Sequence, residues 1–199
     1  MHNIEFFFDC SSPWTYLAFE TIQPIAARDD VSLVWRPILV GGIFNSLNPS
    51  VYENRANPLP VKARYYQKDL QDWASHVGVK IGQPPEFPVN SVKVMRGALV
   101  AIEADCLVAY ARRAFERYWG ELADISQDAE VQGIVEAVGL EVDGFFAKIN
   151  DQAYKDRLKE NTAECMARGG FGSPTLFLDG DDMYFGNDRI PLLVAKLGG

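Results

Sequence analysis

The chain has 199 residues, 48% of them hydrophobic and 12% aromatic, enough to bury one sizeable core. Its net charge of −8 and pI near 4.8 argue against nucleic acid or anionic membranes as main partners, since both need basic surface. No apolar run approaches the ~20 residues that span a bilayer, and no leader pattern precedes the first strand, so the cytoplasm is the expected location.

In chain order, an apolar run over Ile4 to Phe8 predicts a strand that stops at Asp9. Ser12-Pro13 then opens an amphipathic helix to about Arg28, with Ser as N-cap and Pro at the first helical position. Pro24 is expected to kink that helix or end its regular part. Val31 to Val40 reads as a second, largely buried strand, parallel to the first through the helical crossover. From Gly41 to about Pro60, Gly, Asn, Pro and Ser dominate, predicting a long irregular loop. Helical patterns follow over Val61 to Val77, Ser91 to Trp119, Gln127 to Val138 and Asp143 to Arg168. Strand signals return at Pro174 to Leu178 and Met183 to Phe185, a hairpin around Asp179-Gly180-Asp181-Asp182. A short helix, Ile190 to Leu197, closes the chain. The class is therefore α/β, in the order β-α-β, helical insertion, β-β-α. Residues 1–40 plus 170–199 are expected to form one unit, and 41–169 a loop and all-helical insertion.

Chemistry is expected at the mouth of the first helix. Unpaired amides and the positive end of the helix dipole point there, a place that favours an anion, including a thiolate. Ser12 is a donor at that mouth, although capping alone would also account for it. No activating base is evident, since only His2 and His76 exist, so Ser12 is not read as a covalent nucleophile. The cysteines Cys10, Cys106 and Cys165 form neither CxxC nor metal-ligand spacing; they read as buried packing in a reducing compartment, and no metal is expected.

Five segments carry a family resemblance when taken in order: DCSSPWTYLAFE, PVKARYYQKDLQDWA, FPVNS with Arg96 beyond it, ARGGFGSPT, and MYFGNDRIPLL. Ser12-Pro13-Trp14-Thr15 occupies the place of the Cys-x-x-Cys of DsbA-type thioredoxin-fold oxidoreductases, with both cysteines missing. The chain resembles instead the kappa-class glutathione transferases and, more closely, the 2-hydroxychromene-2-carboxylate isomerases. The resemblance implies a DsbA-like thioredoxin fold with a helical insertion, glutathione as cosubstrate and a small aromatic carboxylate as substrate. It also implies a homodimer, the common state of the related families.

By the same resemblance, Ser12 touches the glutathione sulfur. Ser173-Pro174 corresponds to the cis-proline of thioredoxin folds, leaving the Ser173 N–H and C=O for a peptide-like ligand. Asn187 and Asp188 receive the γ-glutamyl group, and Lys62 neutralises the glycine-end carboxylate. Asn54 and Asn57 compete for a further contact, with Asn57 preferred. Asn90 faces the second substrate, or caps the next helix. Trp14 and Tyr65, with Tyr66 and Trp73, wall the aromatic pocket, or belong to the core. The implied activity is isomerisation of 2-hydroxychromene-2-carboxylate to trans-o-hydroxybenzylidenepyruvate in naphthalene-type catabolism. Kappa-like transfer or peroxide reduction, and a non-catalytic glutathione- or peptide-binding module, are the alternatives.

Overall fold

The period-2 alternation of the first strand organises the molecule. In the computed structural model, which describes residues 1–198, β1 (His2–Phe8) sends Ile4, Phe6 and Phe8 to one side and Phe7 to the other, all fully buried. α1 (Pro13–Ala26) follows, and β2 (Val31–Pro37) pairs with β1 in parallel, His2 opposite Val31. β3 (Thr175–Leu178) pairs antiparallel on the other edge of β1, and β4 (Asp182–Phe185) antiparallel on β3. The sheet order is thus β2-β1-β3-β4. At the hairpin, Asp179 and Gly180 both take positive φ, 48° and 111°, as a tight turn between twisted strands requires.

Ile4, Phe6 and Phe8 face Leu17, Phe19 and Ile22 of α1 across an aromatic core in which Trp35 meets Phe6, Phe8 and Phe19 edge-on or tilted. On the other side, Phe7 packs with Ile38, Ile43, Cys165 and Phe177. The helical block is continuous with the first of these cores: Met95, Ala98, Tyr110, Phe115 and Ile134 join the cluster that contains Phe6.

The segment expected to be an irregular loop is instead two short helices, α2 (Val40–Leu47) and α3 (Ser50–Ala56). Gly41, Gly42 and Asn45 disfavour α2 by propensity, but burial of Ile43 against Phe7 and Phe177 of the sheet, with Val40 also buried, supplies what propensity lacks. α4 (Pro60–Val77) matches the expected pattern and ends on Gly78 in the left-handed region. The long pattern from Ser91 divides into α5 (Val92–Glu103) and α6 (Leu107–Phe115), which Asp105 separates with φ 53°, and a π-helical turn over Glu116–Gly120. The last pattern likewise divides at Asp151, the N-cap of α9 (Gln152–Ala167), after α7 (Asp128–Ala137) and α8 (Val142–Asn150). Pro24 does not end α1; it lies in the last turn, where little helix remains to be disrupted. A turn at Asn187–Arg189 leads into α10 (Ile190–Lys196). No helix of the described residues is long and apolar enough to cross a membrane.

Glu5 shares the Phe7 face of the sheet and binds two guanidiniums, Arg36 at 2.9 Å and Arg168 at 2.7 Å. Burial works to raise its pKa, but the hydrogen bonds and charges of Arg168 and Arg36 outweigh it and hold the carboxyl below its ordinary 4.5. A depressed carboxyl contributes stability that is full above the unfolded-state pKa and lost as pH falls through the folded one. Glu5→Gln is expected to cost about 1–3 kcal/mol at pH 7, and thermal scans at pH 7 and pH 3 should show that gap closing in acid.

Candidate active site

Where β1 stops, Asp9 is 1% exposed, and its two oxygens accept separate amides: Ser11 N–H on Oδ1 and Val40 N–H on Oδ2, both at 2.9 Å. Burial pushes its pKa up, opposed by these hydrogen bonds and by Ser91. Asp9 therefore ties the turn before α1 to the start of α2. Cys10 is fully buried, and burial raises its thiol well above the ordinary range. It donates its N–H to Met95 Sδ at 3.3 Å and accepts Trp119 Nε1–H on its C=O at 3.0 Å. This cysteine packs; it does not react.

Ser12 is the N-cap of α1, accepting the Thr15 N–H on Oγ at 3.2 Å. The Tyr16 N–H donates to the Ser12 C=O, and Pro13 has no N–H to offer. Only the Trp14 amide of this first turn lacks an acceptor among the described residues. The expected array of open amides is thus reduced to one, because the cap and the proline satisfy or remove the others. The Ser12 hydroxyl itself is part-exposed and donates to the Ser173 C=O at 3.1 Å.

That bond joins the helix mouth to the loop before β3. The Ser173–Pro174 peptide is cis, and Ser173 is buried. Ser173 Oγ accepts the Asp9 N–H at 3.0 Å and lies 2.7 Å from Thr15 Oγ1. Of the two backbone groups expected to be open at Ser173, the C=O is engaged by Ser12; the N–H has no acceptor among the described residues. Asn187 is 4% exposed on the turn packed against α1, and its Nδ2 has no partner. Asp188 is exposed and accepts Arg189 at 2.8 Å.

The other expected residues spread across the open side of this mouth. Trp14 Nε1–H donates to Tyr66 Oη at 3.0 Å, and their rings meet edge-on. Tyr66 is thus the tyrosine brought to Trp14, while Tyr65 is 66% exposed and turned away from that contact. Trp73 packs on the main core beside His76. Asn57 is the C-cap of α3 and, like Asn54, exposed; Lys62 is the third residue of α4, also exposed. Asn90 Oδ1 accepts the Val92 N–H at 3.1 Å at the start of α5, in keeping with its capping alternative.

Sequence reading missed Thr15, Phe44, Arg55 and Phe87 at this face. The Arg55 guanidinium lies over the rings of both Phe44, at 5.4 Å, and Phe87, at 5.0 Å. No motif marks Phe44 or Arg55, and Thr15 and Phe87 lie inside DCSSPWTYLAFE and FPVNS without a role being read for them; Phe44, Arg55 and Phe87 converge only when α2, α3 and the loop before α5 fold together. A cleft of about 580 Å³ lies elsewhere, lined by Tyr16, Glu20, Lys80, Arg112 and Glu116, and Arg112 there is held by Glu20 at 2.8 Å.

The fold agrees with the comparisons to known proteins. The model of the DSBA-like thioredoxin domain matches residues 3–198. The 2-hydroxychromene-2-carboxylate isomerase of Pseudomonas putida is 30% identical, over 98% of this chain and 94% of that one. Human glutathione S-transferase kappa 1 is 29% identical, over 98% and 90%. A solved structure of a 2-hydroxychromene-2-carboxylate isomerase superposes with a TM-score of 0.82 at 26% identity, covering 98% of this chain and 94% of that one.

The chain belongs to the 2-hydroxychromene-2-carboxylate isomerase family of DSBA-like thioredoxin domains. The curated relatives of this family are enzymes, isomerases and kappa transferases. The superposition on that isomerase structure covers 98% of this chain, sheet and helical block alike.

Proposed function

We propose that the protein is a glutathione-dependent isomerase that interconverts 2-hydroxychromene-2-carboxylate and trans-o-hydroxybenzylidenepyruvate. The observation that carries this reading is the Ser12 hydroxyl, part-exposed at the mouth of α1 and facing the loop of a cis proline. The residues around it fit a tripeptide thiol. Asn187 keeps a buried amide with no partner, the Ser173 and Trp14 N–H groups are open, and Lys62 is an exposed cation. Ser173 and Pro174 would bind the peptide backbone, Asn187 and Asp188 the γ-glutamyl end, and Lys62 with Asn57 the glycine end. Bound at this mouth, glutathione supplies a sulfur nucleophile that adds reversibly to a conjugated carbon and so permits rotation about the former double bond.

The chain's own part is to hold that sulfur as an anion. The Ser12 O–H has one proton, and in this structure it goes to the Ser173 C=O. To donate to sulfur, the hydroxyl must release that carbonyl, which is the group an incoming peptide N–H would pair with. One rotation of Ser12 thus serves both ends of the ligand. A charge-assisted bond to a thiolate replaces a neutral one to a carbonyl, which favours the exchange. The α1 dipole and the Trp14 amide add to the stabilisation.

The test is to mix protein, glutathione and the chromene acid and follow the ultraviolet spectrum. No acceleration over glutathione alone rejects the isomerase. Conjugation of an electrophilic aryl halide without isomerisation would establish the transferase instead. Binding of glutathione with neither reaction would leave a binding module.

A further inference from the structure

Tyr16 is 4% exposed, its ring stacked on Phe115 at 4.9 Å, yet its hydroxyl makes no hydrogen bond among the described residues. That hydroxyl opens on the cleft of about 580 Å³ that Glu20, Lys80, Arg112 and Glu116 also line. Burial first, then the Glu116 and Glu20 charges, push its pKa up to about 12, so it keeps its proton at neutral pH. A buried hydroxyl without a partner is costly unless something completes it.

The walls of this cleft hold charges of both signs that do not cancel. Arg112 gives Nε and Nη2 to the Glu20 carboxylate, each at 2.8 Å, which leaves its Nη1 free. Lys80 is exposed and, among the described residues, has no ion pair and no hydrogen bond. Glu116 has one side-chain contact, Arg113 at 3.5 Å, and Arg113 lies closer to Glu121. Lys80 and Glu116 thus share a cleft without pairing across it. α4 ends on Val77 and Gly78 at the same wall, adding the negative end of its dipole. Glu116 also opens the π-helical turn, a rare widening of the helix found mostly at functional sites. A lone cation or a lone anion would meet one favourable and one opposing charge here. A molecule charged at both ends meets two favourable ones.

We infer that this cleft binds a small zwitterion, a free amino acid or short peptide, its carboxylate taken by Tyr16, Arg112 and Lys80 and its ammonium by Glu116. A phenol O–H, a guanidinium N–H and an ammonium all donate to a carboxylate, and such charge-assisted bonds are stronger than neutral ones. The Tyr16 donor is held in place by its ring stack before the ligand arrives, which lowers the entropy lost on binding. The cleft has the size of a small-molecule site, within the range of about 300–1,000 Å³. It is separate from the Ser12 hydroxyl. Ser12 caps the start of α1, whereas Tyr16 and Glu20 lie further along that helix, and neither Trp14 nor Ser173 lines the cleft.

The experiment titrates glycylglycine into isotope-labelled protein and follows the backbone amides by NMR. Saturable shifts are expected at the Val79, Lys80 and Gly120 amides and not at Trp14 or Ser173. Tyr16→Phe keeps the ring stack and is expected to weaken binding by about 10-fold or more. N-acetyl-glycylglycine lacks the ammonium and glycylglycinamide lacks the carboxylate, so each should bind about 10-fold more weakly than glycylglycine. Glu116→Gln should erase the first difference, and Lys80→Gln should shrink the second. Lys80 is exposed and Glu116 half-exposed, so both variants should keep the wild-type melting temperature. The assignment is overturned by the absence of saturable shifts at the cleft, or by shifts that centre on Trp14 and Ser173. Equal affinity for the three probes, or for wild type and Tyr16→Phe, overturns it as well. None of these results bears on the proposed reaction, because the cleft and the mouth of α1 are separate.

Discussion

Ser12→Ala is expected to lower kcat by about 10²–10³-fold, the loss seen when one preorganised donor to a developing anion is removed. The variant should still fold. Loss of the N-cap bond to Thr15 costs about 0.5–2 kcal/mol, and the Asp9 and Thr15 contacts to Ser173 Oγ remain to hold the two loops together. The defect should lie in the ionisation of the thiol. A hydrogen bond to a charged group contributes about 1.5–3 kcal/mol, so its removal moves the titration of bound glutathione up by about 1–2 pH units. The sign follows from which form the bond favours: the hydroxyl stabilises the thiolate, so without it the thiol keeps its proton to higher pH. Thiolate absorbance near 240 nm against pH, on wild type and variant, measures this directly. A variant with wild-type kcat, or an unshifted thiolate titration, would remove Ser12 from the chemistry. Because the same hydroxyl now holds the Ser173 carbonyl, Ser12→Ala also frees that acceptor in advance. Glutathione affinity should therefore fall less than kcat does.

The second large effect concerns the helical block. Gly97→Ala in α5 would ordinarily gain about 0.5–1 kcal/mol, because alanine suits a helix interior better than glycine. Here the added methyl would fall inside contact distance of Tyr110 Oη and Phe145 Cζ. Neither neighbour has room to retreat. Tyr110 is fully buried with its hydroxyl donating to the Val94 C=O at 3.1 Å, and Phe145 is 3% exposed between Tyr110 and Phe146. Overpacking costs typically 1–3 kcal/mol, and breaking the Tyr110 bond leaves a buried hydroxyl and carbonyl unpaired at about 1–3 kcal/mol more. The steric term therefore outweighs the helix-propensity gain, and a net loss of roughly 2–5 kcal/mol is expected. For a chain of this size that lowers Tm by roughly 5–15 °C. A variant at least as stable as wild type would show that α5, α6 and α8 separate more easily than this packing implies.

Asp9 and Asn187 connect stability to function. Both are buried polar groups beside the mouth of α1, and they differ in satisfaction: Asp9 accepts two amides, whereas Asn187 Nδ2 has no acceptor. A satisfied buried group fixes a loop. An unsatisfied one is costly unless a ligand completes it.

The sequence by itself determined the class of the fold and singled out Ser12, the residue the proposed function rests on. Alternation over Ile4 to Phe8, the Ser-Pro helix start and the Asp-Gly turn are local signals, and each describes an element whose geometry depends on near neighbours in the chain. The resemblance of DCSSPWTYLAFE and MYFGNDRIPLL to one family added the order of the parts. What it could not supply were facts that depend on residues far apart meeting. The glycine-rich segment after Val40 became helical because the sheet buries Ile43. Tyr66 rather than Tyr65 met Trp14, since one residue along a helix turns a side chain by about 100° and only packing sets that phase. Arg55 acquired its place between two rings that lie 11 and 32 residues away in sequence, and the proton of Ser12 found the carbonyl of Ser173. Local chemistry chooses the elements; closure of long loops chooses which side chains share a site, and that choice is written in no single stretch of the chain.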